Sequence, residues 1–255
     1  MLRTVTLVAL AAYVSAQSLS SGCTSALSSI ALNPAASSCL NPLALVSIAT
    51  GNSSQSIVPA VDNWLTGVCG APACSNETIA QVVTNITTGC STELSVTGAD
   101  DAGAITTLVQ QYYPTVRKVL CLKDGSNNCI TQSLREIEGV VGTLSLSNIV
   151  RLVTDPPREL LVSNITCTNC VKGVYNIVTQ DIPEAAASLK TGLDEQCGAT
   201  FTDGTTPSGI TQSASQTAAT TGNSNNNSGA LSSFSMAGIS VSGLAVVSAV
   251  FTLLA

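Results

Sequence analysis

The sequence contains no histidine. That removes the Ser-His-Asp triad, the Cys-His dyad and every imidazole metal ligand. Aromatic residues make up 3% of the chain and charged residues 9%. A net charge of -6 with so few rings excludes a nucleic-acid binder, which needs a basic surface and stacking platforms. No phosphate-binding loop, dinucleotide fingerprint or calcium loop is present. What remains is a chain of 255 residues, 45% hydrophobic, with ten cysteines.

The two ends read as addresses. Arg3 supplies a cationic start, Val5 to Tyr13 is an apolar run, and Val14-Ser15-Ala16 offers the small residues that signal peptidase reads. That run is too short to span a bilayer, which takes about 20 residues. Residues 1–16 are therefore expected to be a signal peptide, cut before Gln17. At the other end, Met236 to Ala255 is an uncharged, mostly apolar tail. The last charged residue is Asp203, so the Lys or Arg that usually marks the cytoplasmic side of a membrane span is missing. Asn227-Ser228-Gly229, a spacer from Ala230 to Ser235 and this tail form the pattern of a glycosylphosphatidylinositol (GPI) signal. Asn227 is the expected attachment residue, Ser228 and Gly229 the alternatives, and residues 229–255 the part removed. A mature chain without both ends loses Arg3 and much of its apolar content. It becomes an acidic ectodomain on a lipid tether.

Between the ends, Cys23, Cys39, Cys69, Cys74, Cys90, Cys121, Cys129, Cys167, Cys170 and Cys197 bound the folded part. In a secreted chain they are most simply five disulfides, whose connectivity spacing does not reveal. Cys121 and Cys129 flank Lys-Asp-Gly-Ser-Asn-Asn, a strong turn, and could close a local loop. Cys167-Thr168-Asn169-Cys170 is a CxxC, which would be a redox pair in a cytosolic βαβ setting. No such setting is visible, so the pair reads as structural. A four-cysteine zinc site would need thiolates, which the secretory pathway oxidises. No metal or cofactor is expected.

Apolar spacing is helical. Ile79, Val82, Val83 and Ile86 share one face, with Ser75 as an N-cap. Ile105, Leu108, Val109 and Tyr112 repeat the pattern, and Pro114 predicts a kink or a new helix after it. Leu134, Ile137, Val141 and Leu144 predict a helix weakened by Gly139 and Gly142. Val171, Val174, Tyr175 and Val178 mark another, and Ala185 to Leu193 a last one opened by Pro183 and Glu184. The expected fold is an all-α, disulfide-bonded bundle over residues 17–201, and the cysteine order allows two similar halves. Residues 202–228, rich in Ser, Thr, Asn and Gly, are expected to be a disordered, O-glycosylated stalk.

Few residues could carry chemistry. The close carboxylates are Asp100-Asp101, Glu136 with Glu138, and Asp194-Glu195. A glycosidase needs two carboxyls facing across a sugar, and sequence neighbours point apart. These residues read as acidic surface. Trp64 is the lone tryptophan and reads as core. Asn52, Asn76, Asn85, Asn164 and Asn226 begin N-glycosylation sequons, the last overlapping the anchor site.

Three strings carry a resemblance: Asn-Trp-Leu-Thr-Gly-Val-Cys at 63–69, Asn-Ile-Thr-Cys-Thr-Asn-Cys at 164–170, and Cys-Gly-Ala-Thr-Phe-Thr-Asp-Gly from 197 ahead of Pro207-Ser208-Gly209-Ile210. Through them the chain resembles a family of secreted, cysteine-rich, often GPI-anchored proteins of basidiomycete fungi that has no assigned activity. The resemblance spans about 23–210 and implies a setting at the plasma membrane or cell wall, with no catalytic residue to transfer. The expected function is a non-enzymatic surface or wall protein, structural, adhesive or binding. Its partners would be the membrane, through the GPI lipid, and cell-wall glycans or another surface protein. The alternatives are an extracellular carrier for a sterol or fatty acid and a carboxylate-dependent hydrolase. A continuous apolar cavity would favour the carrier.

Overall fold

A computed structural model describes residues 20–50, 54–94, 99–154 and 164–215. The expected signal peptide, Asn52, Asn226, the proposed attachment residues Asn227, Ser228 and Gly229, and the apolar tail lie outside these. The described chain is all-α with one small sheet. Its eleven helices are α1 (Ser21–Leu32), α2 (Pro34–Leu40), α3 (Val46–Thr50), α4 (Val58–Gly70), α5 (Asn76–Gly89), α6 (Ser91–Leu94), α7 (Ala99–Leu120), α8 (Cys129–Val141), α9 (Leu146–Thr154), α10 (Asn169–Asp181) and α11 (Pro183–Cys197). Strands β1 (Leu122–Asp124), β2 (Asn127–Asn128) and β3 (Ile210–Gln212) form an antiparallel sheet in the order β2-β1-β3.

Local chemistry sets the helix starts. The Ser20 hydroxyl accepts from the Cys23 amide, and Ser75 does the same for Thr78, as expected. Asn33 accepts from the Ala35 and Ala36 amides at 2.9 and 3.1 Å, with Pro34 in the first turn of α2. Pro183 and Glu184 open α11. Pro114 sits inside α7, which runs on as one helix. The helix from Leu134 stops at Val141, because Gly142 adopts φ 81° and turns the chain away. Leu144 therefore lies beyond the helix end, and its amide is held by the Glu138 carboxylate at 2.9 Å.

The interior is divided. One cluster gathers Leu122, Val171, Val174, Tyr175, Val178, Leu193 and Phe201 around α10 and α11. A second joins Ile79 and Val83 to Tyr113 of α7. A third joins Val58, Ile137, Leu144 and Leu152. Helices α1 and α5 pack very closely: a Cβ on Gly89 would meet the Ala26 Cβ at 2.3 Å, so only glycine fits there.

Five disulfides bind these parts: Cys23–Cys90, Cys39–Cys74, Cys69–Cys121, Cys129–Cys170 and Cys167–Cys197. Cys121 and Cys129 do not pair with each other. Asn128 accepts from the Ile130 and Thr131 amides and starts α8 at Cys129, which carries that cysteine toward α10, while Cys121 bonds the end of α4. The CxxC is likewise split between two disulfides. Pairing is nested in the first half (23–90 around 39–74) and interleaved in the second (129–170 with 167–197), so it does not repeat.

The ordered chain does not end at 201. Phe201 is buried, and residues 202–215 cross α10 and join the sheet through β3. The expected stalk boundary at 202 falls inside this strap. Side-chain and sheet contacts made by a polar segment, rather than an apolar pattern, hold it down.

Candidate functional site

Two features stand out, at opposite ends of α4. The first is a cleft of about 490 Å³ along the first turns of that helix, where Ser56, Asp62, Asn63, Thr66, Arg135 and Glu138 stand beside apolar Val58 and Pro59. Asp62 is fixed: its Oδ1 accepts from the buried Thr131 hydroxyl of α8 at 2.7 Å. Arg135 stands 4.0 Å from the other Asp62 oxygen and is more than half exposed, a loose pair worth little to stability. A second hollow of about 520 Å³ adjoins it across Ser56, Pro59 and Asn63, with Ile48, Ile57 and Leu146 as its apolar wall. Both mix polar and apolar groups. Trp64 lines neither hollow; it is half-buried rather than a core residue, and its indole N–H donates to the Leu40 carbonyl at 2.8 Å.

The second feature is a clasp on the chain's way out of the domain. Arg117, in the last turn of α7, is 6% exposed. Its guanidinium donates to the Val68 carbonyl at 3.4 Å, to the Ala71 carbonyl, and to the Ser215 carbonyl at 3.2 Å. The first two oxygens lie at the C-terminal end of α4, where a helix favours a cation. Among the described residues no carboxylate pairs with Arg117. The Ser215 amide donates to the Cys69 carbonyl at 2.8 Å, and Ser213 donates to Cys121 from both its amide and its hydroxyl. The clasp therefore surrounds the Cys69–Cys121 disulfide.

Upstream, Lys172 of α10 holds the strap. Its ammonium lies 2.7 Å from Asp203 and donates to the Thr200 carbonyl and the Thr205 hydroxyl. The Lys172 bond, with those from the Thr205 hydroxyl and amide, pulls the Asp203 carboxyl down to about 2. Buried Asn176 adds a 3.0 Å bond to the Thr205 carbonyl.

Three of the carboxylates singled out in the sequence, Glu136, Glu138 and Asp194, serve this scaffold. Glu138 caps the Leu144 amide. Glu136 accepts from Gln132, and its other oxygen is buried without a partner. The Lys190 ammonium and the Thr202 hydroxyl hold Asp194 below the usual carboxylate range. Asp100 and Asp101 fall in the first turn of α7. Among the described side chains neither Glu136 with Glu138 nor Asp194 with Glu195 lines a cleft together; Glu138 instead shares one with Asp62, which was not among the candidates. Asn76 is exposed at the start of α5, Asn85 is half-buried on the same helix, and Asn164 opens a short 3-10 turn. Among the described residues no group of Cys, Asp and Glu is placed to hold a metal ion. No described helix is long and apolar enough to cross a membrane. No family model, no curated protein and no solved structure matches the chain.

Proposed function

We propose that this chain is a non-enzymatic, GPI-anchored protein of the outer cell surface or wall, whose disulfide-locked helical domain is displayed on a glycosylated tether. The observation that carries the reading is the clasp at Ser215. The chain is bound to the domain up to that residue, and from there to Ser228 the sequence is uncharged and dominated by Ser, Thr, Asn, Gln and Gly. Such a segment cannot bury a core and suits a solvated stalk. Five closed disulfides fit an oxidising, extracytoplasmic setting. The binding role falls to the cleft beside Asp62 and Arg135, facing wall glycans or another surface protein. The mixed lining of the two hollows favours this over a sterol or fatty-acid carrier. The structural employment of Glu138 and Asp194 favours it over a hydrolase.

Phosphatidylinositol-specific phospholipase C, applied to intact expressing cells after base deacylation, tests the tether. Release of the domain into the medium is expected, and so is secretion without release by lipase when residues 229–255 are deleted. Retention of the full chain in the membrane after deacylation and lipase, with extraction only by detergent, overturns the anchor.

A further inference from the structure

Eight of the ten cysteines are buried; the exceptions are Cys167 and Cys197, and they are bonded to each other. All four other disulfides have both partners buried. We propose that Cys167–Cys197 is a reducible clip: a dithiol opens it while the other four stay closed, and its opening frees the end of α11 and the first residues of the strap.

Position supplies the second part of the inference. Cys197 is the last residue of α11, and the strap leaves at Gly198, the next residue, with φ 87°. Cys167 lies one residue before Thr168, the N-cap of α10. A thiolate there sits at the positive end of a thirteen-residue helix, which lowers its proton affinity and makes it the better leaving group. The disulfide thus joins the end of one helix to the start of another, beside a 3.3 Å bond from Gln196 to Thr166. The far end of the strap stays fixed by β3 and by Arg117.

The exchange balances without a bound cofactor. One thiolate of the dithiol attacks the Cys197 sulfur. The S–S bond breaks, its electron pair leaves on Cys167 as a thiolate, and a mixed disulfide forms at Cys197. The second thiol of the reductant then attacks its own sulfur in that mixed disulfide and releases the Cys197 thiolate. The dithiol departs as a cyclic disulfide, oxidised by two electrons, and the two protein thiolates take up two protons.

Graded dithiothreitol on the full folded chain, quenched with an alkylating reagent and mapped by peptide mass, tests this. Cys167 and Cys197 should be labelled together at a reductant dose at least about tenfold below that needed for any other pair. First labelling of another pair, or labelling of all ten at one dose, overturns the proposal. Hydrogen exchange on the two-thiol species is the second readout. Amides of 193–205 should exchange faster while those of α1 and α5 do not change. Unchanged exchange at 193–205 overturns the role of the bond as a clip.

Discussion

Arg117 and Ser215 are 98 positions apart, yet the buried Arg117 side chain holds the Ser215 carbonyl at 3.2 Å. The same side chain satisfies two carbonyls at the end of α4. Replacing it with methionine keeps its bulk and removes the guanidinium donors from three carbonyl oxygens. Arg117→Met should cost about 2–4 kcal/mol, a fall in Tm of roughly 5–15 °C by calorimetry. Arg117→Lys should recover only part of this, since one ammonium cannot reach as a planar fork does. A variant of either kind with unchanged Tm would remove the clasp from the stability of the domain.

The strap should loosen around Asp203 in acid over a defined window. Asp203 is held at about 2 against an ordinary 3.8, because its ionised form is bonded to Lys172 and Thr205. A depressed carboxyl contributes stability that is complete above its unfolded value and is lost as pH falls through its folded value. Exchange at the Thr205 amide, which Asp203 accepts at 2.8 Å, should therefore lose protection between pH 4 and pH 2. Asp203→Asn should show weak protection at every pH, with no step in that window.

The contact between α1 and α5 gives a steric test. Gly89→Ala places a methyl group at 2.3 Å from the Ala26 Cβ and close to the Gly22 carbonyl oxygen. The helices must part, at a cost of about 1–3 kcal/mol. Ala26→Gly should rescue Gly89→Ala in part, which a double-mutant cycle in denaturant measures.

Thr131 is 1% exposed and spends its hydroxyl on Asp62. Thr131→Val should lower stability by about 1 kcal/mol and leave Asp62 free to turn toward Arg135. A surface-binding assay on wall glycans should then separate the two effects, with a larger loss of binding from Asp62→Ala than from Thr131→Val. Equal binding by all three proteins would move the binding face away from this cleft.

The helices that could be read in the sequence are those whose apolar residues face one side, such as Ile79 to Ile86 and Val171 to Val178. Helices α1 and α2 gave no such signal. They are rich in Ser and Ala, and Leu27 and Leu32 of α1 are exposed, Leu32 by 79%. Their packing rests on small residues and on disulfides, which leave no periodic trace. The strands are two or three residues long, too short for alternation to register. Arg117 was equally hidden. A basic residue in a last helical turn looks like an ordinary partner for the helix dipole, and its buried role exists only once the strap arrives from a distant part of the chain. Cys121 and Cys129 show the reverse error: a strong turn between them was legible, but it builds a hairpin and a helix cap rather than a covalent loop.

Helix α4 begins at the cleft and ends at the clasp. Its thirteen residues measure about 20 Å at 1.5 Å each. A chain tied to a surface beyond Ser215 would thus have a built-in up and down. The end of α4 that grips the tether would face the cell, and the end carrying Asp62 and Asn63 would face outward. A pull on the tether would load the hydrogen bonds of Ser213 and Ser215 to Cys121, Cys69 and Arg117 first, and the covalent stop behind them would be the Cys167–Cys197 disulfide.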